Sequence, residues 1–125
     1  MSIIDSLSNM FDDDKTGAKA LTQRRKERNE KFKQRIKEQL FMTDEEANRV
    51  IKLIKKYDKK TDIIMNRFDV TNHEYIQTER MGAQMEAVQV EMKEEVIKLI
   101  NEIMREKVRE AKEYFAKHPE QRKGN

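Results

Sequence analysis

Cysteine and tryptophan are absent from this chain, proline occurs once and glycine three times. Without cysteine there is neither a disulfide nor thiolate chemistry. So few turn-forming residues leave little material for a sheet, and the β-branched residues fall at helical spacings rather than in alternating runs. No apolar run approaches the roughly 18 residues of a membrane-spanning helix. The first residues lack the basic start and apolar core of a secretory signal, so a cytoplasmic protein is expected. Chemistry is equally sparse. No HExxH, P-loop, GxGxxG or GxSxG pattern occurs. The two histidines, His73 and His118, stand far apart, and neither forms the inward Glu-x-x-His pair of a di-iron bundle. The expectation is a protein that is not an enzyme, with no catalytic residue, no metal ligand and no cofactor.

Charge is abundant. Of 125 residues, 41% are charged and 36% hydrophobic, with a net charge of +3. A thin core of this kind suits helices packed side by side better than a globule. The expected fold is all-α: an elongated antiparallel helical hairpin or coiled coil of two to three long helices, with a short amphipathic N-terminal segment. Residues 1–14 form that segment, 15–118 the hairpin and 119–125 a polar tail. Within the hairpin the pattern predicts a basic helix over 18–40, a heptad helix over 44–68 and a long helix over 72–117.

The helix limits come from capping chemistry. Thr43-Asp44-Glu45-Glu46 and Thr71-Asn72-His73-Glu74 are both capping boxes, in which a threonine hydroxyl and a glutamate three residues on satisfy each other's backbone N–H. His118-Pro119 ends the long helix, because proline disfavours helical geometry in the residue before it. Ala47, Val50, Ile54, Tyr57, Thr61, Ile64 and Phe68 alternate spacings of three and four, which is the a/d seam of a heptad. The long helix carries two apolar rows. Met81, Met85, Val88, Met92, Val96, Leu99 and Ile103 make one; Ile97, Ile100, Met104, Val108, Ala111 and Phe115 make the other.

A turn centred on residue 70 would set Ile64 opposite Ile76, Tyr57 opposite Ala83 and Val50 opposite Val90. If the basic and heptad helices ran nearly end to end, Leu40, Ile36 and Phe32 would meet Ile100, Met104 and Val108. The sparse apolar residues of the basic helix favour this collinear arrangement over one in which it folds back as a third bundle member.

Two surfaces invite partners. Ile3, Ile4, Leu7, Met10 and Phe11 share one helical face, which either docks in a partner's groove or folds onto the chain's own bundle. The long helix is widest where its rows overlap, at Val96, Leu99, Ile100 and Ile103, wider than one neighbouring helix covers. These eight residues (Ile3, Ile4, Leu7, Phe11, Val96, Leu99, Ile100 and Ile103) are the expected protein interface, for a partner protein or for self-association. Charge offers an alternative. Residues 1–14 carry −4, whereas 15–40 carry +7. Residues 23–31 hold no apolar side chain, so they are either solvated or bound to something acidic. Arg24, Arg25, Arg28, Lys31 and Arg35 would contact phosphates if the basic helix, over 19–37, bound nucleic acid while the later helices oligomerised. The glutamates between 91 and 113 alternate with lysine and arginine, the pattern of a solvated, salt-bridged face rather than a ligand set. The primary expectation is a non-enzymatic interaction or assembly protein that works by helix packing.

Overall fold

The fold is all-α: the described residues form four helices and no strand. The structure is a computed structural model that describes residues 3–8, 10, 21–67 and 75–119, with backbone alone for 75–78. In chain order the helices are α1 (Ile3–Ser8), α2 (Leu21–Leu40), α3 (Asp44–Arg67) and α4 (Tyr75–Lys117). The limits follow the caps where these are described. Thr43 N–H donates to Glu46 Oε1 at 2.8 Å and Glu46 N–H to Thr43 Oγ1 at 3.2 Å, the reciprocal pair of a capping box. At the far end α4 stops at Lys117, one residue before His118-Pro119. The capping box at 71–74, the connection at 68–70 and Phe68 lie outside the described residues.

The heptad face of α3 is the core. Ala47, Val50, Ile54, Tyr57, Thr61 and Ile64 are all buried. They lie in one cluster with Leu7 of α1, Phe32 and Ile36 of α2, and Met92, Val96 and Ile103 of α4. Packing closes a ring: α3 lies against α2 and α4, and α1 lies against α2 and α4 from the opposite side. The chain's own N-terminal helix therefore supplies part of the cover that the wide face of α4 needs.

Two expected alignments are corrected. The basic helix is not collinear with α3; it folds back on it. Lys37 Nζ reaches Asp44 at 2.6 Å, whereas Arg25 Nη1 reaches Asp62 at 2.8 Å, so the two helices run antiparallel. The reversal is made at Phe41, which takes the left-handed conformation (φ 54°) just after α2 ends. The pairs expected between Leu40, Ile36, Phe32 and α4 therefore do not form, because α2 lies against α3 and α1 instead.

The α3–α4 register is also slid. Tyr57 Oη donates to Glu91 at 3.3 Å, where residue 83 was expected opposite, and Arg49 pairs with Glu106 at 3.3 Å, where 91 was expected. Val90, expected to face Val50, is 50% exposed. The cause is apolar burial. The slid register sets the bulky run Met92, Val96 and Ile103, each fully buried, against α3.

The segment without apolar residues finds its acid inside the chain. Arg28 Nη2 donates to both oxygens of Asp58, at 2.8 and 2.7 Å, and Arg28 Nη1 donates to the Met10 carbonyl at 3.3 Å. Arg28 also donates from Nε and Nη2 to the buried Asn29 Oδ1, at 3.1 and 3.0 Å. Arg25 Nη2 donates to Thr61 Oγ1 at 3.0 Å, and Thr61 in turn donates to the Asp58 carbonyl at 2.8 Å. One network thus joins α2, α3 and the exit from α1. Removing one partner of a buried pair strands the other's charge, which costs about 3–5 kcal/mol. Asp58→Ala should lose stability of that order in urea unfolding at neutral pH. A loss below about 1 kcal/mol would mean the arginines are as well solvated without it.

Candidate interaction surface

The basic residues expected on phosphates are drawn inward. Arg25 and Arg28 converge on Asp58, with side chains only 14% and 17% exposed. Arg35 donates to Ser6 Oγ on α1, Arg24 is half-buried, and Lys31 alone of the five is fully at the surface. A phosphate would have to displace Asp58 and Asp62 from Arg25 and Arg28 before using them.

The expected apolar interface is largely enclosed as well. Leu7 is buried and Ile3 half-buried, while Ile4 is exposed. Gln89 Nε2 of α4 donates to the Leu7 carbonyl, so α1 is held to the bundle by its backbone as well as by its apolar face. On α4, Val96, Ile100 and Ile103 are buried and Leu99 is half-buried. Phe11 lies outside the described residues.

What remains open is the far end of α4. At 1.5 Å per residue, α3 is about 36 Å long and α4 about 64 Å, so α4 must outrun its neighbour. Lys107 marks the place. Its Nζ bonds Glu46 at 3.0 Å and the Phe41 carbonyl at 2.6 Å, at the start of α3. Beyond it every α4 residue from 108 to 117 is exposed. Val108 is 53%, Tyr114 44% and Phe115 38% exposed. Val108, Ala111 and Phe115, spaced three and four apart, share one face and with Lys112 line a shallow concavity. Met104, half-buried against the core, is one turn earlier on the same face, so the open strip continues the bundle's own apolar seam. Tyr114 stacks on His118 at 4.3 Å and meets Phe115 edge-on at 5.5 Å, which gives the tip an aromatic end.

Phe41 belongs to the same end, tied to α4 through Lys107, and is 81% exposed. It combines two unfavourable choices: a bulky residue at positive φ, and an aromatic ring in water. Glycine is the residue that this position ordinarily takes after a helix. The sequence pattern contained the α4 strip as part of a second apolar row. The signal that separates it from the core is length, since 43 residues of α4 face only 24 of α3.

Electrostatics along the α3–α4 seam are local. Burial, reinforced by Glu91 and Glu95, pushes the Tyr57 hydroxyl up to about 12. Burial would raise Glu46, but the Thr43 N–H and Lys107 outweigh it and hold the carboxyl below its usual range. Lys37, with Lys33, holds Asp44 low. Among the described residues no three histidine or carboxylate side chains are placed to hold a metal ion, and no helix is long and apolar enough to cross a membrane. Compared with known proteins, the chain matches no family model, no curated protein and no solved structure.

Two expectations follow. The αL strain on a non-glycine residue is about 1–2 kcal/mol, so Phe41→Gly should raise stability by about 1 kcal/mol in thermal or urea unfolding. A loss of stability would show that the exposed ring is held by contacts of its own. For Tyr57 the folded state keeps its proton above the unfolded value of 10.0. Stability linked to it is therefore complete below pH 10 and falls as pH rises toward 12. Tyr57→Phe should flatten that part of the alkaline unfolding curve relative to wild type; an unchanged slope would rule the linkage out.

Proposed function

We propose that this chain is a non-enzymatic helical assembly protein that docks on a partner through the free end of α4. One observation carries the reading: ten consecutive residues of α4 run past α3, all exposed, and three of their apolar side chains, Val108, Ala111 and Phe115, share a single face. A helix face with anchors at i, i+3 and i+7 is a common recognition unit for another helix or a groove. The rest of the molecule serves to hold that arm. Its partly buried Arg28 bonds the buried Asp58 and Asn29, and its wide apolar surface is covered from within. The exposed, strained Phe41 at the same end supports the reading, since strain of this kind concentrates at working surfaces.

The test compares native assembly with folding. Purified gently from its source, the wild-type chain should elute in a complex heavier than its own 15.0 kDa. Val108→Asp combined with Phe115→Ala should release it as a monomer. Both positions are exposed, so the variant should keep its unfolding free energy within about 0.5 kcal/mol. A wild-type chain that elutes as a bare monomer, or a complex that the double variant leaves intact, would overturn the reading.

A further inference from the structure

The open strip on α4 has a charge pattern of its own. At 100° per residue, Arg105 and Lys112 border the Val108–Ala111–Phe115 face on one side and Lys107 on the other. Glu106, Glu110 and Glu113 fall on the opposite half of the helix. The apolar strip is therefore edged by bases alone, although the segment as a whole is mixed in charge. Lys107 is engaged with Glu46. Neither Arg105 nor Lys112 has an ion-pair partner among the described residues.

We infer that the occupant of this face is an acidic amphipathic helix of a partner protein, with aliphatic side chains in its seam and glutamate or aspartate along its edges. The inference rests on the docking role proposed above and adds the partner's chemistry. A second copy of this chain fits poorly. Antiparallel pairing sets the Arg105–Lys112 edge against the same edge of the other copy, and parallel pairing sets it against Lys107; either places base against base. An anionic membrane also fits poorly, because the arm's far side is lined with glutamates. An acid-edged helix instead meets Arg105 and Lys112 on one side, and on the other Lys107, which Glu46 already holds.

The fold contains an internal precedent. α1 comes from the acidic segment and buries Leu7 in the bundle, with Met10 buried just beyond its end; Arg35 holds it at Ser6 and Arg28 holds its exit at the Met10 carbonyl. With those two residues buried, α1 is already occupied, so the helix that covers the arm comes from elsewhere.

The experiment uses the full chain and two synthetic helices with leucine at every a and d position. One carries glutamate at e and g, the other lysine. The glutamate helix should bind, at least tenfold more tightly than the lysine helix, and more weakly as salt rises. Val108→Asp with Phe115→Ala should abolish binding. Arg105→Glu with Lys112→Glu should reverse the preference in favour of the lysine helix, which a merely unfolded variant would not do. Equal binding of both helices, or of neither, overturns the inference. Sedimentation of the unliganded chain and co-sedimentation with phosphatidylserine vesicles test the other occupants. Self-association lost in the Phe115 variant would keep the docking role and remove the acidic partner. Vesicle binding through the same residues would overturn both.

Discussion

A single carboxylate, Asp58, determines how this molecule is put together. It is buried on α3, 6% exposed, and a buried carboxylate is tolerated only with cations and donors around it. The donors stand on the stretch of α2 that has no apolar residue with which to pack. Arg28 saturates Asp58, Arg25 approaches it at 3.8 Å on the way to Asp62, and Asn29 fixes the Arg28 fork. Only the fold-back arrangement of α2 and α3 brings these groups together. Such a pair need not add net stability over a hydrophobic alternative. Its effect is selective, since any other placement of α2 would leave a charge buried alone or bury nothing. Through the Met10 carbonyl the same arginine also positions the exit of α1, so the ring of four helices depends on this network.

The division of labour along α4 follows. Its middle, from Met85 to Ile103, meets α3 and α1 and is where the large side chains are fully buried. Its end lies beyond the reach of either. The register decides the boundary. The register that buries Met92, Val96 and Ile103 against α3 ends the overlap near Lys107 and leaves residues 108–117 past the start of α3. The core and the arm are thus two results of one alignment. Lys107 closes the junction by bonding both Glu46 and the Phe41 carbonyl, which stops the arm from being drawn back along α3.

The sequence was readable wherever a local rule decides the outcome. Thr43 and Glu46 specify a helix start whatever packs nearby, and Pro119 specifies a stop. The three-and-four spacing from Ala47 to Ile64 marks a buried face because only that face can be covered. Pairing was not readable in the same way. Periodicity says that Phe32 and Ile36 share a face, but not which neighbour covers it. A basic stretch such as Arg24 to Arg28 has the same sequence whether it meets water, phosphate or Asp58. The register failed for a related reason: a turn centre inferred from a short connection ignores where the bulky side chains lie. The interface residues at 96–103 were read as open because α1 was not counted among the helices available to cover them. The arm at 108–115 was not set apart from the rest of its apolar row because its spacing is the same as that of core.

That identity of pattern explains why the arm is suited to docking. An isolated helix of ten residues is marginal in water, because the first turn must be nucleated at a cost. Here α4 arrives already wound, and each further residue needs only propagation. The arm's composition helps, since Arg, Glu, Lys and Ala are strong helix formers, and Arg109 and Glu113 stand at i and i+4. Val108, Ala111 and Phe115 are therefore held on one rigid face before any partner arrives. A binding segment that folds on contact loses several kcal/mol of its contact energy to ordering. A preformed arm keeps most of that energy, so a small face with three apolar anchors and two flanking charges can suffice where a disordered segment of equal size would not.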